Sequence, residues 1–184
     1  MNLSLPDSIL VEAVLAGDSA CFEELVRRFQ TTVLRYFLLH HRREDALDLT
    51  QETFLHAWKS LRTYDAHWRF STWLLAIAHQ QNALFFRNQA RSIQKKIIEG
   101  DSDFFELEAA AEHSGFQEIA RSEESENLWN TIHEKLSSEQ AEVLWLFYAE
   151  EKSQQEIAQI LHRTVPGVKT LLFRARQALQ KFLV

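Results

Sequence analysis

Residues 153–179, SQQEIAQILHRTVPGVKTLLFRARQAL, contain two helix starts separated by a short turn. Ser153 and Glu156 form a capping box, and Thr164 can cap a second helix that has Pro166 in its first turn. Apolar residues recur along that second helix at steps of three and four, at Val165, Val168, Leu172, Ala175 and Leu179. Two capped helices joined by a tight turn, the second longer and basic, predict a helix-turn-helix unit that binds DNA.

The outward face of the second helix would carry the side chains that contact DNA. Thr170, Arg174 and Gln177 lie opposite the apolar stripe, and Lys169 lies on its flank. A further capping box at Ser137 predicts the helix that precedes the unit. A structural three-helix domain that never meets DNA is the alternative interpretation.

The first half of the chain is also helical in its pattern. One stripe consists of Phe22, Leu25, Val26, Phe29, Val33 and Phe37, and a second of Leu47, Thr50, Phe54, Ala57 and Leu61. A third line contains Trp73, Ile77, Gln80, Leu84 and Arg87. With only 4 Gly and 2 Pro in 184 residues, we predict an all-α fold of two small domains, an N-terminal helical bundle and a C-terminal helix-turn-helix.

The helix around Asp48 has a compact polar face. Asp48, Gln51, Glu52 and Leu55 share one arc that points away from the apolar stripe. An ordinary solvated helix face is one interpretation of this arc. The other is a docking surface for a basic partner, in which charge steers the approach and Leu55 is the apolar anchor.

The connector at 62–70 is unusually aromatic. Tyr64, Trp68 and Phe70, followed by Trp73, could belong to the core. Because Arg69 and Arg87 lie among or after them, the same residues could instead form a cationic platform on which unpaired bases stack.

The net charge of −6 is concentrated in one segment. Residues 99–126 hold ten acidic residues and a single Arg, whereas the blocks on either side are close to neutral. We therefore expect an acidic linker over 97–126. The single Cys21 fits a reducing compartment, and the absence of a long apolar run and of a signal-peptide pattern predicts a cytoplasmic protein.

Taken together, these motifs resemble the extracytoplasmic-function group of bacterial sigma factors. The stretch 48–58, DLTQETFLHAW, is similar to that family's D-L-x-Q-E-x-F-x-x-A-W signature, and FSTWL at 70–74 follows it. Residues 153–161 and 168–176 resemble the family's second promoter-binding unit. The chain departs from the family pattern at Gln80, Leu84, His162 and Leu171.

The resemblance implies a promoter-specificity subunit of RNA polymerase. Asp48, Gln51, Glu52 and Leu55 would contact the clamp helices of the beta-prime subunit, and the enzyme's beta subunit would be a further partner. The domain at 1–96 would bind and open the minus-10 promoter element through Tyr64, Trp68, Arg69, Phe70, Trp73, Gln80 and Arg87. The domain at 127–184 would bind the minus-35 element through Thr164, Pro166, Lys169, Thr170, Phe173, Arg174 and Gln177. An anti-sigma factor would regulate the chain.

Two other functions fit parts of the sequence less well. A free-standing helix-turn-helix regulator would bind duplex DNA without polymerase, although the near-neutral C-terminal block disfavours tight binding by that domain alone. An enzyme or metal protein is disfavoured because the 8 His residues form no ligand pair and no phosphate loop or nucleophile elbow is present. We therefore expect no catalysis, no cofactor, no metal and no membrane insertion.

Overall fold

The computed structural model describes residues 5–99 and 136–181, with side chains described only as far as Lys95 in the first range. The predicted acidic linker, 97–126, lies almost wholly outside the described residues. Every regular element within the two described ranges is helical, in agreement with the predicted all-α fold of two small domains. We call residues 5–99 the N-terminal half and residues 136–181 the C-terminal half.

The N-terminal half is a four-helix bundle. Its helices are α1 (Asp7–Leu15), α2 (Ala20–Leu38), α3 (Arg43–Ser60) and α4 (Phe70–Glu99), with a short 3-10 turn at Leu61–Thr63. Helix α2 packs against α1, α3 and α4. Its buried side chains are the centre of the core and include Leu25, Val33, Tyr36 and Phe37.

The C-terminal half is the predicted helix-turn-helix with one helix before it. Helix α5 (Ser138–Leu144) continues into a π-helical turn, Trp145–Ala149, and is followed by α6 (Gln154–Ile160) and α7 (Val165–Gln180). Both predicted capping boxes are present, since Ser137 accepts from the Gln140 amide and Ser153 from the Glu156 amide.

The turn between α6 and α7 also follows from local chemistry. His162 has a φ of 49°, in the left-handed region where glycine is most at ease. Thr164 caps α7 by accepting from the Gly167 amide at 3.3 Å, with Pro166 in the first turn as predicted. A Cβ on Gly167 would lie 3.2 Å from the Thr164 hydroxyl oxygen, so a larger residue there would crowd the cap.

The two halves pack directly on each other. Helix α4 lies against α6, and the rings of Tyr36 in α2 and Trp145 after α5 are 6.0 Å apart. Trp145 is 1% exposed. The buried apolar residues of both halves therefore form one continuous cluster.

One residue of the predicted α3 stripe is misplaced. Leu47 was expected in the core but is 40% exposed, and the neighbouring Ala46 and Leu49 are buried instead. Since Ala46, Leu49 and Phe54 already line the face toward α2, the adjacent Leu47 is rotated out to solvent.

Candidate functional site

The outward face of α3 is a polar surface with an apolar centre. Asp48, Gln51 and Glu52 are exposed, and Leu55 is 59% exposed between them. We call these four residues the acidic patch. The opposite face of α3 is buried in the core. Even its polar residues Thr50 and Thr53 are buried, and their hydroxyls donate to carbonyls of the same helix. The acidic patch thus lies on a helix that is fixed by packing, while its own side chains remain accessible.

Two further apolar side chains extend the acidic patch. Leu47 is 40% and Trp58 is 45% exposed on the same helix. The Trp58 ring also packs edge-on against Phe22 of α2, with 4.9 Å between centroids. An exposed tryptophan held by one edge contact is suited to a protein interface.

The aromatic connector divides into a buried and an accessible part. Phe70 is 1% exposed and packs against Phe29, Tyr64 and Trp73 at centroid distances of 5.3, 5.7 and 5.5 Å. This burial favours the core alternative for Phe70 over the base-stacking platform, because no face of its ring is free in this arrangement. Its position at the first turn of α4, against α2, makes it a core residue.

The other connector residues reach the surface. Tyr64, Trp68 and Trp73 are all half-buried, and Arg69 is exposed. The Tyr64 hydroxyl donates to the Trp68 carbonyl at 2.9 Å, which fixes the loop. Gln80 and Arg87 are exposed further along α4.

The predicted DNA-binding face of α7 is open to solvent. Thr164, Pro166, Lys169, Thr170, Arg174 and Gln177 are exposed, and Phe173 is 60% exposed. The opposite side of α7 is buried at Val168, Leu172 and Ala175, as the stripe predicted. The Thr170 hydroxyl donates to the Pro166 carbonyl at 3.0 Å, so its methyl group is the part most available to a partner.

A set of polar contacts between the halves was missed at the sequence level. The Glu142 carboxylate of α5 accepts from the Tyr36 hydroxyl at 2.6 Å and lies 3.0 Å from Nδ1 of His79 in α4. Glu142 is 4% exposed. One sequence signal was available, since Glu142 interrupts the apolar run at 141–147.

A second set of contacts joins α6 to the start of α4. One carboxylate oxygen of Glu156 closes the capping box with Ser153, while the other accepts from the Thr72 hydroxyl at 2.9 Å. The Lys152 ammonium donates to the Ser71 hydroxyl. Gln80, one of the predicted promoter residues, lies 3.0 Å from the His162 ring nitrogen.

The buried acids in these contacts stay ionised because of their partners. Burial alone would raise the pKa of Glu142, but hydrogen bonds and positive charge from His79 and His40, with the Tyr36 hydroxyl, hold it below its usual value. Burial, together with the Glu142 charge, raises the pKa of Tyr36 well above 10, so this hydroxyl remains a donor.

The same balance holds at the second set of contacts. Burial favours the protonated form of Glu156, yet hydrogen bonds from Ser153 and Thr72 and the charge of Lys152 leave its pKa lowered. Burial lowers the pKa of Lys152 against the opposing charges of Glu156 and Glu150.

Neither a metal site nor a membrane span is found in the described part of the chain. Over residues 5–99 and 136–181, His, Cys, Asp and Glu side chains form no group of three or more that could hold a metal ion. Over the same ranges, no helix has the length and apolar character needed to cross a bilayer.

Comparison with known proteins matches both halves of the chain. Residues 22–92 match Sigma-70 region 2, and residues 127–179 match Sigma-70, region 4. The RNA polymerase sigma-H factor of Pseudomonas aeruginosa is 31% identical over 182 residues, covering 96% of this chain and 93% of that protein. The sigma-E factor of Haemophilus influenzae, of the extracytoplasmic-function group, is 28% identical over 98% of this chain and 96% of its own.

Solved structures show the same fold. CnrH, in complex with the cytosolic domain of CnrY, matches with a TM-score of 0.65 at 24% identity, covering 96% of each chain. RpoE of Bartonella quintana, in complex with the anti-sigma factor NepR, matches with a TM-score of 0.66 at 23% identity, covering 88% of this chain and 96% of that one. A polymerase-independent regulator is not favoured, because the region 2 match adds a second sigma domain to the helix-turn-helix. The chain therefore belongs to the sigma-70 family and, within it, to the extracytoplasmic-function group of RNA polymerase sigma factors.

Proposed function

We propose that this chain binds core RNA polymerase and directs it to specific promoters, through one protein-binding and two DNA-binding surfaces. The proposal rests on one observation above all. The acidic patch of α3 and the basic face of α7 are both exposed on rigid helices of a single chain. A subunit that connects an enzyme to DNA needs both kinds of surface.

The acidic patch is the proposed docking surface for the clamp helices of the beta-prime subunit. Asp48 and Glu52 supply negative charge, Gln51 supplies a hydrogen-bonding amide, and Leu55 supplies apolar area at the centre. Charged groups around a central apolar anchor give orientation and on-rate together with affinity. The exposed Trp58 and Leu47 would enlarge the buried area of this interface.

Helix α7 is the proposed minus-35 reader. Its exposed Arg174 and Gln177 can donate to base edges in the major groove, and Lys169 can contact phosphate. Thr164 and Pro166 lie at the N-terminus of this helix, where the helix dipole would favour a phosphate of the DNA backbone. Phe173 and the Thr170 methyl add apolar contacts.

The connector and α4 are the proposed minus-10 surface. Tyr64, Trp68 and Trp73 are half-buried and would offer ring edges to a base, while the exposed Arg69, Gln80 and Arg87 supply charge and hydrogen bonds. Phe70 supports them from the core rather than contacting a base.

The remaining expectations complete the proposal. The functional domains would span 1–96 and 127–184, joined by the acidic linker at 97–126. The protein would act in the cytoplasm without catalysis, cofactor or metal, and without insertion into the membrane. An anti-sigma factor is a proposed partner, because RpoE of Bartonella quintana, which has the same fold, was solved in complex with the anti-sigma factor NepR.

Transcription in vitro tests the proposal. Core polymerase is supplied with a library of random promoter fragments, with and without the purified chain. We expect a small set of new transcripts whose upstream sequences share two elements at fixed spacing. Identical transcripts in both reactions, while a known sigma-E factor is active with the same enzyme, would contradict the proposal.

A further inference from the structure

Helix α1 is fastened to α2 by one arginine. The Arg28 guanidinium donates to the Asp7 carboxylate at 2.8 Å and to the Leu5 carbonyl at 2.6 Å. It therefore binds both the first residue of α1 and the chain that enters this helix. A second nitrogen of the same guanidinium donates at 2.8 Å to Glu24, one turn earlier in α2. We call Arg28, Asp7 and Glu24 the α1 clasp.

The α1 clasp differs from an ordinary surface ion pair. The side chain of Arg28 is 18% exposed, and those of Asp7 and Glu24 are 32% and 29% exposed. Charge-assisted hydrogen bonds that are partly shielded from water keep more of their strength than fully exposed pairs. Pro6, at the N-cap of α1, has no hydroxyl or carboxylate with which to cap the helix. The bonds from Arg28 therefore fix the start of α1.

The start of α1 lies beside the aromatic connector. Helix α1 packs against the 3-10 turn Leu61–Thr63, where the connector begins. Burial raises the pKa of the Tyr64 hydroxyl, and the charges of Asp7 and Asp65 raise it further, which places Asp7 near this ring. The α1 clasp therefore meets the connector at Tyr64.

Tyr64 in turn holds the rest of the connector. Its hydroxyl donates to the Trp68 carbonyl at 2.9 Å, and its ring packs edge-on against Phe70 with 5.7 Å between centroids. Phe29, the neighbour of Arg28 in α2, supports Phe70 at 5.3 Å. Two adjacent residues of α2 therefore hold the connector from different sides, Arg28 through α1 and Phe29 through the packed rings.

We propose that Arg28 and Asp7 are positioning residues for the minus-10 surface, which hold α1 against the connector so that Tyr64 and Trp68 meet an unpaired base in one orientation. The inference rests on the proposed function, because it assigns a role within the minus-10 surface. Neither positioning residue would touch DNA. A side chain discriminates between bases only when its own position is fixed, since a mobile one adapts to the wrong base as well as to the right one.

Hydrogen exchange of the free chain tests the structural step without polymerase or DNA. Arg28→Met removes the guanidinium and keeps an unbranched side chain in α2. We expect faster amide exchange over residues 64–68, where the Trp68 amide bonds to the Asp65 carbonyl at 3.0 Å, and unchanged exchange in α3.

Arg27→Met is the matched control for this measurement. Arg27 also donates to Glu24, through two nitrogens at 2.8 Å each, but its side chain is 71% exposed. We expect its exchange over residues 64–68 to equal that of the parent. Equal exchange in the parent, Arg27→Met and Arg28→Met would overturn the proposal.

Base discrimination tests the functional step. A promoter selected from the random library is prepared unchanged, with one base of the minus-10 element replaced, and with one base of the minus-35 element replaced. Transcript from each altered template is divided by transcript from the unchanged one, because this ratio does not depend on the fraction of chain that is folded. We expect the minus-10 discrimination of Arg28→Met to fall several-fold and its minus-35 discrimination to stay at the parent value. Arg27→Met should match the parent at both elements.

Asp7→Ala tests the α1 clasp from its other side and leaves the bond between Arg28 and Glu24 in place. It should lower minus-10 discrimination as Arg28→Met does, and the double variant should lose no more than either single one, because both changes remove the same contact. Arg28→Lys, which keeps the charge and a donor, should recover part of the discrimination.

The outcomes separate this inference from the proposed function. Parent-level minus-10 discrimination in both Arg28→Met and Asp7→Ala would overturn the positioning role alone. A parent chain that supports transcription equally well from all three templates would contradict the proposed function and the positioning role together.

Discussion

Helices α3 and α4 both carry proposed partner-binding residues, but they differ in how far the C-terminal half engages them. The acidic patch of α3 faces solvent, with its opposite side buried against the bundle. The side of α4 that bears Thr72 and Gln80 is bonded to α6 and to the turn after it. The comparison shows that the acidic patch of α3 is open to a partner while the halves are packed together, whereas Thr72 and Gln80 of α4 already bond to the C-terminal half.

Reversing the charge of the acidic patch should have the largest effect. Asp48→Arg with Glu52→Arg places positive charge where a basic partner docks, so we expect binding to core polymerase to fall below detection in a pull-down. Since both side chains are exposed, the unfolding transition should be almost unchanged. Glu12→Arg with Glu23→Arg, two exposed acids on α1 and α2, is the matched control and should bind normally. Equal loss in the control would mean that net charge, not the acidic patch, governs docking.

Truncation of Phe70 separates a core residue from a stacking residue. Phe70→Ala should lower the free energy of unfolding by about 3–5 kcal/mol, because it leaves a cavity among Phe29, Tyr64 and Trp73. Phe173→Ala makes the same chemical change at a side chain that is 60% exposed and should change stability little. Urea unfolding followed by circular dichroism measures both. A Phe70→Ala chain as stable as the parent would mean that this ring is not a core residue and would favour the base-stacking interpretation.

Removing one hydroxyl from the polar contacts between the halves should have a moderate effect on stability. Tyr36→Phe takes the 2.6 Å donor away from the buried Glu142 carboxylate and should destabilise the folded chain by about 1–3 kcal/mol. Tyr148→Phe, at a ring that is 59% exposed, is the control and should be neutral. If both variants unfold at the same urea concentration as the parent, the bond from Tyr36 to Glu142 does not stabilise the fold.

The smallest expected effect is a pH dependence of the free energy of unfolding that arises within the N-terminal half. His41, buried against Phe85 and bonded to Asn82, has its pKa lowered below 6.5, mainly by burial and despite the Asn82 bond and the charge of Asp45. The unfolded chain therefore binds a proton that the folded chain resists. Stability that is present above pH 6.5 should be lost as the pH falls through the folded pKa of His41.

The variant His41→Gln isolates this contribution. Its stability should vary less than that of the parent between about pH 7 and pH 5, measured by urea unfolding at each pH. His67→Gln changes an exposed histidine and should keep the parent's dependence. Parallel curves for the parent and His41→Gln would remove His41 as the source.

Local chemistry explains which parts of this structure could be predicted from the sequence. The capping boxes at Ser137 and Ser153 join groups three residues apart, so their pattern is written in adjacent residues. The exposure of Asp48 and Glu52 followed from helical periodicity alone. The sequence left Phe70 between core and base platform because an aromatic ring suits both, and its packing against Phe29 of α2 favours the core.

The polar contacts between the halves could not be predicted, for a different reason. Glu142 and Tyr36 belong to separate halves, and nothing in either segment specifies how the halves meet. Glu156 was correctly assigned to a capping box, but its second oxygen had no predicted partner until Thr72 was placed beside it. Contacts of this kind depend on tertiary geometry, which periodicity does not encode.

Transcription with charge-reversed chains tests the central claim most directly. Core polymerase and a promoter fragment selected from the random library are combined with the parent chain, with the Asp48→Arg, Glu52→Arg chain, or with the Glu12→Arg, Glu23→Arg control. We expect run-off transcript from the parent and the control and none from the Asp48→Arg, Glu52→Arg chain, because the acidic patch is the proposed docking surface. Equal transcript from all three chains would contradict the account.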